Sequence, residues 1–410
     1  MTGINNVAVP QLAWYGDSEM DLQFPASWQV TACRMRGHDG CGLRAEELEA
    51  ALAKPLGTRP IADLARGKRD VVILFDDLTR PTQTQPLVSM VLRQLLDAGV
   101  PEAGIRFIAA QGAHPPLNRL ELEKKLGADV LARFPAYSHN PYENCTYLGK
   151  TSLGTPVSIN SEVMACDLKI GIGCILPHTL AAFSGGGKIV LPGVASVDTI
   201  VANHALQSRP SSEVMGRNDH NDLRQDVDEA TRMAGLDFKI DVLVNMKRET
   251  AALFAGEPAA ARDEGMRLAR DFYATELPAD ADVVVANVYA KVTETGLFVV
   301  PAARLLSESG GDLVMLSVTP WGQIAHYLLR SFGKTIGGRR WFVRTTLPPR
   351  VERLIVYCPY PDYAGGDWMG PPGSIIWART WFEVIEELRR GHRNSPRVAV
   401  VPDISMQYFV

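Results

Sequence analysis

Short continuous apolar runs alternate along the chain with stretches whose apolar residues recur at helical spacing. The run DVVILFDD (70–77) is apolar until it ends in two acids, which is typical of a strand buried on both faces of a parallel sheet. The stretch QPLVSMVLRQLLDAGV that follows has the spacing of an amphipathic helix, and GIRFIAAQGAH supplies the next strand. This order predicts a βαβ unit with the right-handed crossover that parallel strands adopt.

The same alternation continues to the end of the chain, where the further apolar runs read DLKIGIGCILPH, DFKIDVLVNM, ADVVVANVYA, GGDLVMLSVTP, VERLIVYCP and PRVAVVPD. A helical stretch over 258–275 leads into a turn rich in proline and alanine, which gives the best domain boundary. We therefore predict an α/β protein with two α/β domains, 1–273 and 274–410. The sheets are expected to be largely parallel.

The composition excludes several classes of function. The 410 residues are 46% hydrophobic and 21% charged, and the formal net charge of −4 comes without a basic block. We therefore expect a soluble protein with a small-molecule substrate, and no binding to nucleic acid or to a membrane. The N-terminus lacks a signal-peptide pattern, and no apolar run approaches the ~20 residues that span a bilayer. Six cysteines without a CxxC pair are typical of reduced thiols, so we predict a cytoplasmic protein.

Polar residues follow the first predicted strand in FDDLTRPTQ. Asp76, Asp77, Thr79 and Arg80 lie just outside its carboxyl end, where α/β sheets bind their ligands. Arg80 offers a planar guanidinium for a carboxylate or a phosphate. The alternative is a helix start, because a threonine followed two residues later by Pro81 is typical of one.

Two further clusters contain histidines. AAQGAHPP ends in His114 after the next strand, and YSHNPYEN contains His139 and Asn140. An isolated histidine in such a loop is more often structural than catalytic. For His139 and Asn140 we expect a solvated loop.

The fourth cluster is PHTLAAFSGGGKIVLPG (177–193), which begins with His178 after a buried strand. Its SGGGK resembles the end of a P-loop, but the first glycine and the Ser or Thr after the lysine are missing, so nucleoside triphosphate binding is not expected. Glycines still permit a ligand to approach the backbone closely, and this makes Ser184, Gly185 and Gly186 candidate cofactor contacts.

Lys188 ends the glycine run and lies ten residues after His178, while His204 follows sixteen residues later. The apolar residues that flank Lys188 predict partial burial, which would favour a nucleophilic amine, but a surface lysine in a flexible loop is equally compatible. The histidines leave a zinc site, an acid–base pair or both open, although no H-E-x-x-H or H-x-H spacing supports zinc.

At these residues the sequence resembles the nickel-dependent lactate racemase family, whose members carry a nickel-pincer nucleotide. The resemblance rests on DDLTRPT, on GAH at the next strand end, and on PHTLAAFSGGGK followed by NH at the expected distance. It covers most of the first domain and, more loosely, the whole chain. It implies that domain 1–273 binds the cofactor and carries the catalytic residues, that domain 274–410 adds substrate contacts, and that the active site lies in the cleft between the domains. It implies a racemase or epimerase that inverts C2 of a 2-hydroxy acid by hydride transfer to and from the cofactor.

The resemblance also implies roles for single residues. Lys188 would attach covalently to the cofactor through a thioamide, and His204 would bind the nickel. His114 and His178 would be the acid–base pair on opposite faces of the substrate. Arg80 would hold an anionic group. The cofactor contacts besides Lys188 would be Asp76, Arg80, Ser184, Gly185 and Gly186.

Two positions depart from the family pattern. Gly187 stands where many members have an arginine, and NVYAKVTETG (287–296) lacks the Tyr-Gln-x-x-Lys pattern of the lactate-acting members. Lys291 is the candidate for the substrate-binding lysine, and Glu294 nearby changes the local charge. We therefore expect a 2-hydroxy acid larger than lactate, such as a sugar acid or a dicarboxylate.

Two other functions remain open at this point. A zinc-dependent hydrolase would use His114, His178 and His204 as its metal ligands. A non-catalytic binding protein would hold a sugar acid or a nucleotide in the cleft. For the racemase, the enzymes that make the cofactor would be transient partners.

Overall fold

The computed structural model describes residues 5–207, 214–217, 221–324, 344–392 and 395–410. These residues belong to two compact units. The N-terminal unit contains the described residues of 39–271, and the C-terminal unit contains those of 5–38, 272–324 and 344–410.

The strands follow one another in chain order as β1 (Asn5–Gln11), β2 (Ser18–Phe24), β3 (Gln29–Ala32), β4 (Val71–Phe75), β5 (Ile105–Ala109), β6 (Ala136–Ser138), β7 (Cys145–Lys150), β8 (Pro156–Asn160), β9 (Leu168–Cys174), β10 (Pro177–His178), β11 (Ala182–Phe183), β12 (Phe238–Val244), β13 (Thr250–Gly256), β14 (Ala274–Thr275), β15 (Val283–Asn287), β16 (Gly311–Leu316), β17 (Val351–Tyr357), β18 (Ile375–Ala378), β19 (Arg397–Val401) and β20 (Tyr408–Phe409).

The α-helices are α1 (Ala45–Leu52), α2 (Ile61–Ala65), α3 (Thr84–Asp97), α4 (Arg119–Leu126), α5 (Ala128–Arg133), α6 (Ser161–Ala165), α7 (Val197–Ala205), α8 (Asp222–Ala234), α9 (Pro258–Phe272), α10 (Val299–Ala303) and α11 (Trp381–Gly391). Short 3-10 turns occur at Glu102–Gly104, Gly186–Ile189, Val292–Leu297 and Gly366–Trp368. No helix among the described residues is both long and apolar enough to cross a membrane.

The N-terminal unit is built on a six-stranded sheet in the order β13-β12-β9-β4-β5-β6. Its neighbouring strands are parallel except for the antiparallel pair β12–β13. Every residue of β4 is buried, since the sheet is covered on both faces, and this explains the uninterrupted apolar run. Val72 and Leu74 of β4 share one core cluster with Val190 and Leu191, so the segment just after Lys188 is packed into the core.

The C-terminal unit has a second six-stranded sheet in the order β18-β17-β16-β15-β19-β3, and all of its strands are parallel. The α/β class with largely parallel sheets is therefore confirmed. The apolar runs that predicted strands are the observed strands β4, β5, β9, β12, β15, β16, β17 and β19.

Residues 5–38 differ from the predicted domain 1–273, because they group with the C-terminal unit. β3 adds to the edge of the second sheet by pairing with β19. Val9 and Leu22 of the β1–β2 hairpin are buried in one cluster with Val285 and Val314. Burial of these apolar side chains fixes the N-terminal segment there. The placement of the active site in a cleft between the domains stays a prediction.

Candidate active site

Three neighbouring strands of the N-terminal sheet carry predicted site residues just beyond their carboxyl ends. β4 lies between β9 and β5, and the three strands are parallel. Asp76, Asp77 and Arg80 follow β4, His114 follows β5, and His178 follows β9. Since adjacent strands lie about 4.8 Å apart, segments far apart in sequence leave the sheet at the same edge.

The Asp77 carboxylate binds the ring of His114. Asp77 Oδ2 lies 2.6 Å from His114 Nδ1, and Asp77 Oδ1 accepts hydrogen bonds from the amide (3.0 Å) and the hydroxyl (2.5 Å) of Thr79. Burial acts to raise the pKa of the Asp77 carboxyl, but His114, Arg80 and Thr79 together hold that pKa well below its usual range. The ionised carboxylate accepts the proton of Nδ1, so the neutral His114 ring carries its lone pair on Nε2.

Asp76, for which the cofactor contact stays a prediction, is hydrogen-bonded within the protein. Its Oδ1 accepts from Lys125 Nζ at 2.8 Å, and its Oδ2 accepts from the Thr82 hydroxyl at 2.5 Å. The fully buried Lys125 also donates to the carbonyls of Arg80 and Thr82. Asp76 therefore fixes the 76–82 loop, and it is Asp77 that orients the histidine. The position of Asp77 directly after a strand indicated a site residue, but no nearby residue in the sequence indicated that its partner is His114.

Arg80 lies half-buried beside this pair. Its Nη1 donates to the carbonyl oxygen of Thr79 at 3.0 Å and to the hydroxyl oxygen of Thr79 at 2.9 Å. These bonds hold the planar guanidinium, which suits the two oxygens of a carboxylate.

His178 forms the end of β10 and pairs with Ala182 in the two-stranded ribbon β10–β11. Its Nδ1 accepts hydrogen bonds from the amides of Leu180 at 3.1 Å and Ala181 at 3.3 Å. An amide N–H only donates, so Nδ1 carries the lone pair and the proton of the neutral ring is assigned to Nε2. His178 and His114 therefore have opposite tautomers: one ring offers a donor at Nε2 and the other offers an acceptor.

The glycine run after β11 is held by buried side chains from other elements. Asp241 of β12 accepts a hydrogen bond from the Gly186 amide at 2.7 Å, and its other oxygen accepts from Lys239 Nζ at 2.6 Å. Arg224 of α8 donates to the Gly185 carbonyl at 3.3 and 3.4 Å. Sequence reasoning missed these three residues, because none of them lies within 35 positions of the glycines.

The smallness of the glycines serves packing within the protein. A Cβ on Gly185 would lie 2.5 Å from Ile175 Cγ1, and one on Gly186 would lie 2.9 Å from Arg262 Cδ. A Cβ on Gly187 would overlap the hydroxyl of Thr231, which donates to the Gly187 carbonyl at 3.2 Å. The arginine of many family members therefore does not fit at position 187 of this chain.

Ser184 is also bonded internally. Its hydroxyl donates to the Cys174 carbonyl and accepts from the Leu176 amide, both at 2.9 Å. Together with the packing around Gly185 and Gly186, these bonds give the three predicted cofactor contacts a structural role: they brace the segment that carries Lys188.

Lys188 is partly buried, as its apolar neighbours predicted. It lies in the 3-10 turn Gly186–Ile189, and its carbonyl accepts from the Gly193 amide at 3.2 Å. The Gly193 carbonyl in turn accepts from the amide of Gly112 at 2.9 Å. The His114 turn and the Lys188 loop are therefore joined through their backbones.

His204 lies in the last turn of α7 and is partly buried. Its Nδ1 lies 3.0 Å from the Ile200 carbonyl, which can only accept, so the proton of the ring is on Nδ1. A neutral imidazole in this tautomer presents the Nε2 lone pair that a metal ion requires.

His139 was expected in a solvated loop, and this is wrong: only 2% of the residue is exposed. Its Nε2 lies 2.9 Å from the Ala195 carbonyl, and its Nδ1 lies 3.1 Å from Asn160 Nδ2. Burial lowers the pKa of His139 to about 4 against the opposing effect of the Ala195 carbonyl. His139 is therefore a neutral structural residue.

The described residues contain no group of three or more His, Cys, Asp or Glu that could hold a metal ion. This counts against the zinc hydrolase, which needs His114, His178 and His204 around one ion. A metal centre on these residues would have to obtain most of its ligands from elsewhere.

Lys291 follows β15 in the C-terminal unit and is 4% exposed. Its Nζ lies 5.5 Å from the centre of the Phe298 ring, a cation–π distance. The carboxylate of the fully buried Asp403 accepts hydrogen bonds from the amides of Tyr289 (3.3 Å) and Ala290 (2.8 Å). The backbone that leads into Lys291 is therefore fixed.

Residues 15–216 match the family model of the lactate racemase N-terminal domain. The chain is 32% identical over 285 residues to lactate racemase of Lactiplantibacillus plantarum and 28% identical over 288 residues to that of Thermoanaerobacterium thermosaccharolyticum. These matches cover 66% and 69% of this chain. They span 65% and 66% of the two relatives, slightly less than two thirds of their length.

Two solved structures share the fold over nearly the whole chain. The lactate racemase apoprotein from T. thermosaccharolyticum superposes with a TM-score of 0.74 at 21% identity, covering 99% of this chain and 100% of that one. A protein from Thermotoga maritima gives 0.68 at 16% identity, covering 90% and 99%. At these identities the likeness establishes the fold, while the matches in sequence establish the relationship. The N-terminal half of the chain therefore matches the lactate racemase family in sequence, and the chain shares the fold of a lactate racemase.

Proposed function

We propose that the protein is a racemase or epimerase that inverts the C2 centre of a 2-hydroxy acid. The observation that carries this proposal is the pair His114 and His178, at one sheet edge and in opposite tautomers. Inversion needs a base for the hydroxyl proton and an acid that returns a proton, and the two must exchange roles in the reverse direction.

The cofactor that the family implies is a nickel-pincer nucleotide, and the residues of this chain fit it. Lys188 is a partly buried amine on a braced loop, and it would hold the cofactor through a thioamide. His204 has its proton on Nδ1 and would ligate nickel through Nε2. When bound, the cofactor supplies a hydride acceptor and donor, and the protein supplies position and charge.

His114 would take the hydroxyl proton at Nε2 while the hydride leaves C2 for the acceptor that the bound cofactor would supply. Removal of a proton from the hydroxyl and a hydride from C2 leaves a 2-keto acid without creating a dianion. Asp77 stays ionised, accepts a hydrogen bond from Nδ1–H and would stabilise the imidazolium that forms. On the opposite face, His178 would act as the acid when its ring is protonated, since a neutral imidazole that lost its Nε2 proton would become an anion, and the bound cofactor would supply the hydride for C2.

The substrate carboxylate would bind Arg80, with Lys291 as a second cationic contact. Glu294, close to Lys291 in sequence and 4% exposed, places an acid near that lysine. We propose a 2-hydroxy acid larger than lactate, a sugar acid or a dicarboxylate, because the 287–296 segment departs from the lactate-acting pattern. The six unpaired cysteines are consistent with a cytoplasmic enzyme that meets its cofactor-making enzymes transiently.

The test is to produce the chain together with the cofactor-making enzymes and to map the intact and digested protein by mass spectrometry. We expect an adduct on Lys188 that is lost in Lys188→Arg and retained in the control Lys150→Arg, an exposed lysine at the end of β7. Unmodified Lys188 in a fully active preparation would refute the covalent attachment.

The reaction itself is tested with a panel of 2-hydroxy acids in D2O, with chiral chromatography to follow inversion. Hydride transfer predicts inversion without solvent deuterium at C2. Deuterium at C2 in the inverted product would contradict the hydride mechanism and favour removal of a proton.

A further inference from the structure

A pocket of about 290 Å³ lies between helices α8 and α9 of the N-terminal unit, outside the residues assigned so far. Its charged lining consists of Arg224, Arg262, Arg267, Arg270, Asp228 and Asp263. Four guanidinium groups therefore face two carboxylates. Arg267 also pairs with Glu264 at 2.8 Å, and with that acid included the arginines still outnumber the carboxylates.

Arg224 is buried in the wall of this pocket with few acceptors. Only 2% of the residue is exposed, and its terminal nitrogens reach the Gly185 carbonyl at 3.3 and 3.4 Å. Its Nε lies 3.6 Å from Asp228 Oδ1 and has no hydrogen-bond partner among the described residues. The N–H donors of a buried guanidinium group normally have hydrogen-bond partners. A buried guanidinium with an unpaired donor is therefore a reason to look for a bound anion.

The acid nearest to Arg224 is shared. Asp228 also pairs with Arg262, which binds Asp263 at 2.6 Å as well. Burial lowers the pKa of Arg224 to about 10, and the neighbouring Arg262 acts in the same direction against Asp228. Arg224 and Arg262 share Asp228, and among the described residues Asp263 binds only Arg262, so the Nε of the buried Arg224 is the donor that a further anion would satisfy.

We propose that this pocket binds a phosphate monoester. Guanidinium groups form paired hydrogen bonds with phosphate oxygens, and a phosphate dianion offsets the excess positive charge. The volume of the pocket, about 290 Å³, is just below the range of small-ligand sites, about 300–1,000 Å³, so the pocket suits a small ester. The buried Met266 in its lining offers the organic group of such an ester an apolar contact.

The site adjoins the loop that carries Lys188. Arg224 holds the Gly185 carbonyl, and Arg262 Cδ lies 2.9 Å from where a Cβ on Gly186 would be. The phosphate could come from a free ester or from the nucleotide cofactor, and only the second source depends on the proposed function.

The first experiment titrates inorganic phosphate into the full-length chain, produced without the cofactor-making enzymes, by calorimetry at constant ionic strength set with NaCl. We expect saturable binding with a dissociation constant below about 1 mM. Arg262→Gln and Arg270→Gln should each weaken it by about tenfold or more, since each removes a charge-assisted contact. If the chain shows no saturable binding, the proposal is wrong.

The matched control is Arg93→Gln, because Arg93 is an exposed arginine of α3 that pairs with Glu49 at 2.7 Å. It removes the same charge from the same unit, so phosphate affinity should stay within about twofold. Equal weakening in Arg93→Gln and Arg262→Gln would overturn the proposal in favour of general charge attraction. Melting curves without phosphate identify any variant that fails to fold, and the Arg270→Gln result then decides.

A titration of the cofactor-loaded chain separates the two sources. Retained phosphate binding assigns the pocket to a free ester. The other result has two parts: the empty chain binds phosphate but the loaded chain does not, and the empty Arg262→Gln chain does not bind it either. This result assigns the pocket to the phosphate of the cofactor.

Discussion

His114 and His139 follow adjacent strands of one sheet, β5 and β6, yet the partners of their imidazole rings differ. His114 has the ionised Asp77 at 2.6 Å, whereas His139 has only a carbonyl and an amide as partners. The two loops are directly joined, since Gln111 Oε1 accepts a hydrogen bond from the His139 amide at 3.2 Å. The difference shows that position at a strand end does not decide the chemistry of a histidine: the carboxylate beside His114 stabilises its protonated ring, and His139 has no such partner among the described residues.

Asp77→Asn tests this comparison most severely. An amide in place of the carboxylate neither fixes the proton on His114 Nδ1 nor stabilises the imidazolium, so we expect kcat for inversion to fall by about 10²–10⁴-fold. Chiral chromatography on cofactor-loaded protein measures the rate, and the Lys188 adduct confirms equal loading. His139→Asn is the control and should reduce kcat by less than about tenfold. Similar losses in both variants would remove the distinction between the two rings.

The pH dependence of stability tests the other histidine of the comparison, His139. The pKa of His139 is about 4 in the folded protein and about 6.5 when unfolded, so the unfolded state binds more protons between these values. The stability that His139 contributes is present above about pH 6.5 and is lost as the pH falls to about 4, by about 3 kcal/mol in total. Urea unfolding at several pH values should show a shallower decline for His139→Gln than for the wild type. Parallel declines would mean that His139 does not titrate in this window.

Asn160→Asp would give His139 the type of partner that His114 has. Asn160 Oδ1 caps α6 by accepting from the amides of Glu162 and Val163, and an aspartate can keep that cap. We expect the pKa of His139 to rise by about two units, because a carboxylate stabilises the imidazolium. NMR titration of the ring protons measures the shift, and an unchanged pKa would show that burial outweighs a neighbouring charge.

Thr79→Val has the smallest expected effect. It removes one of the bonds that keep the Asp77 carboxylate in place, at a cost of about 1 kcal/mol and less than about tenfold in kcat. Thr79→Ser retains the hydroxyl and should restore the rate. If serine does not restore it, the methyl group rather than the hydrogen bond matters.

The strands were predictable because a buried parallel strand is a run of five to seven consecutive, mostly apolar residues, as in β4 and β9. Partial burial of Lys188 followed from its immediate neighbours for the same reason. The pairings that build the site are not local: Asp77 and His114 are 37 positions apart, and Asp241 and Gly186 are 55 apart. The spacing of apolar residues along the chain does not indicate such long-range contacts.

Two expectations failed for related reasons. His139 was expected in solvent because its neighbours in sequence are polar, but its surroundings come from Asn160 and Ala195. The first 38 residues were assigned by chain order, whereas β3 pairs with a strand near the other end of the chain.

The contact between Gly187 and Thr231 also constrains how this lineage can change. The Thr231 hydroxyl occupies the space that any side chain at 187 would need, so the two positions cannot mutate independently. A route to the arginine found in many relatives must first shrink Thr231 and replace its bond to the Gly187 carbonyl. The reverse order passes through an overpacked intermediate, at a cost of about 1–3 kcal/mol. Aligned relatives should therefore show a small residue at the position of Thr231 wherever arginine precedes the lysine.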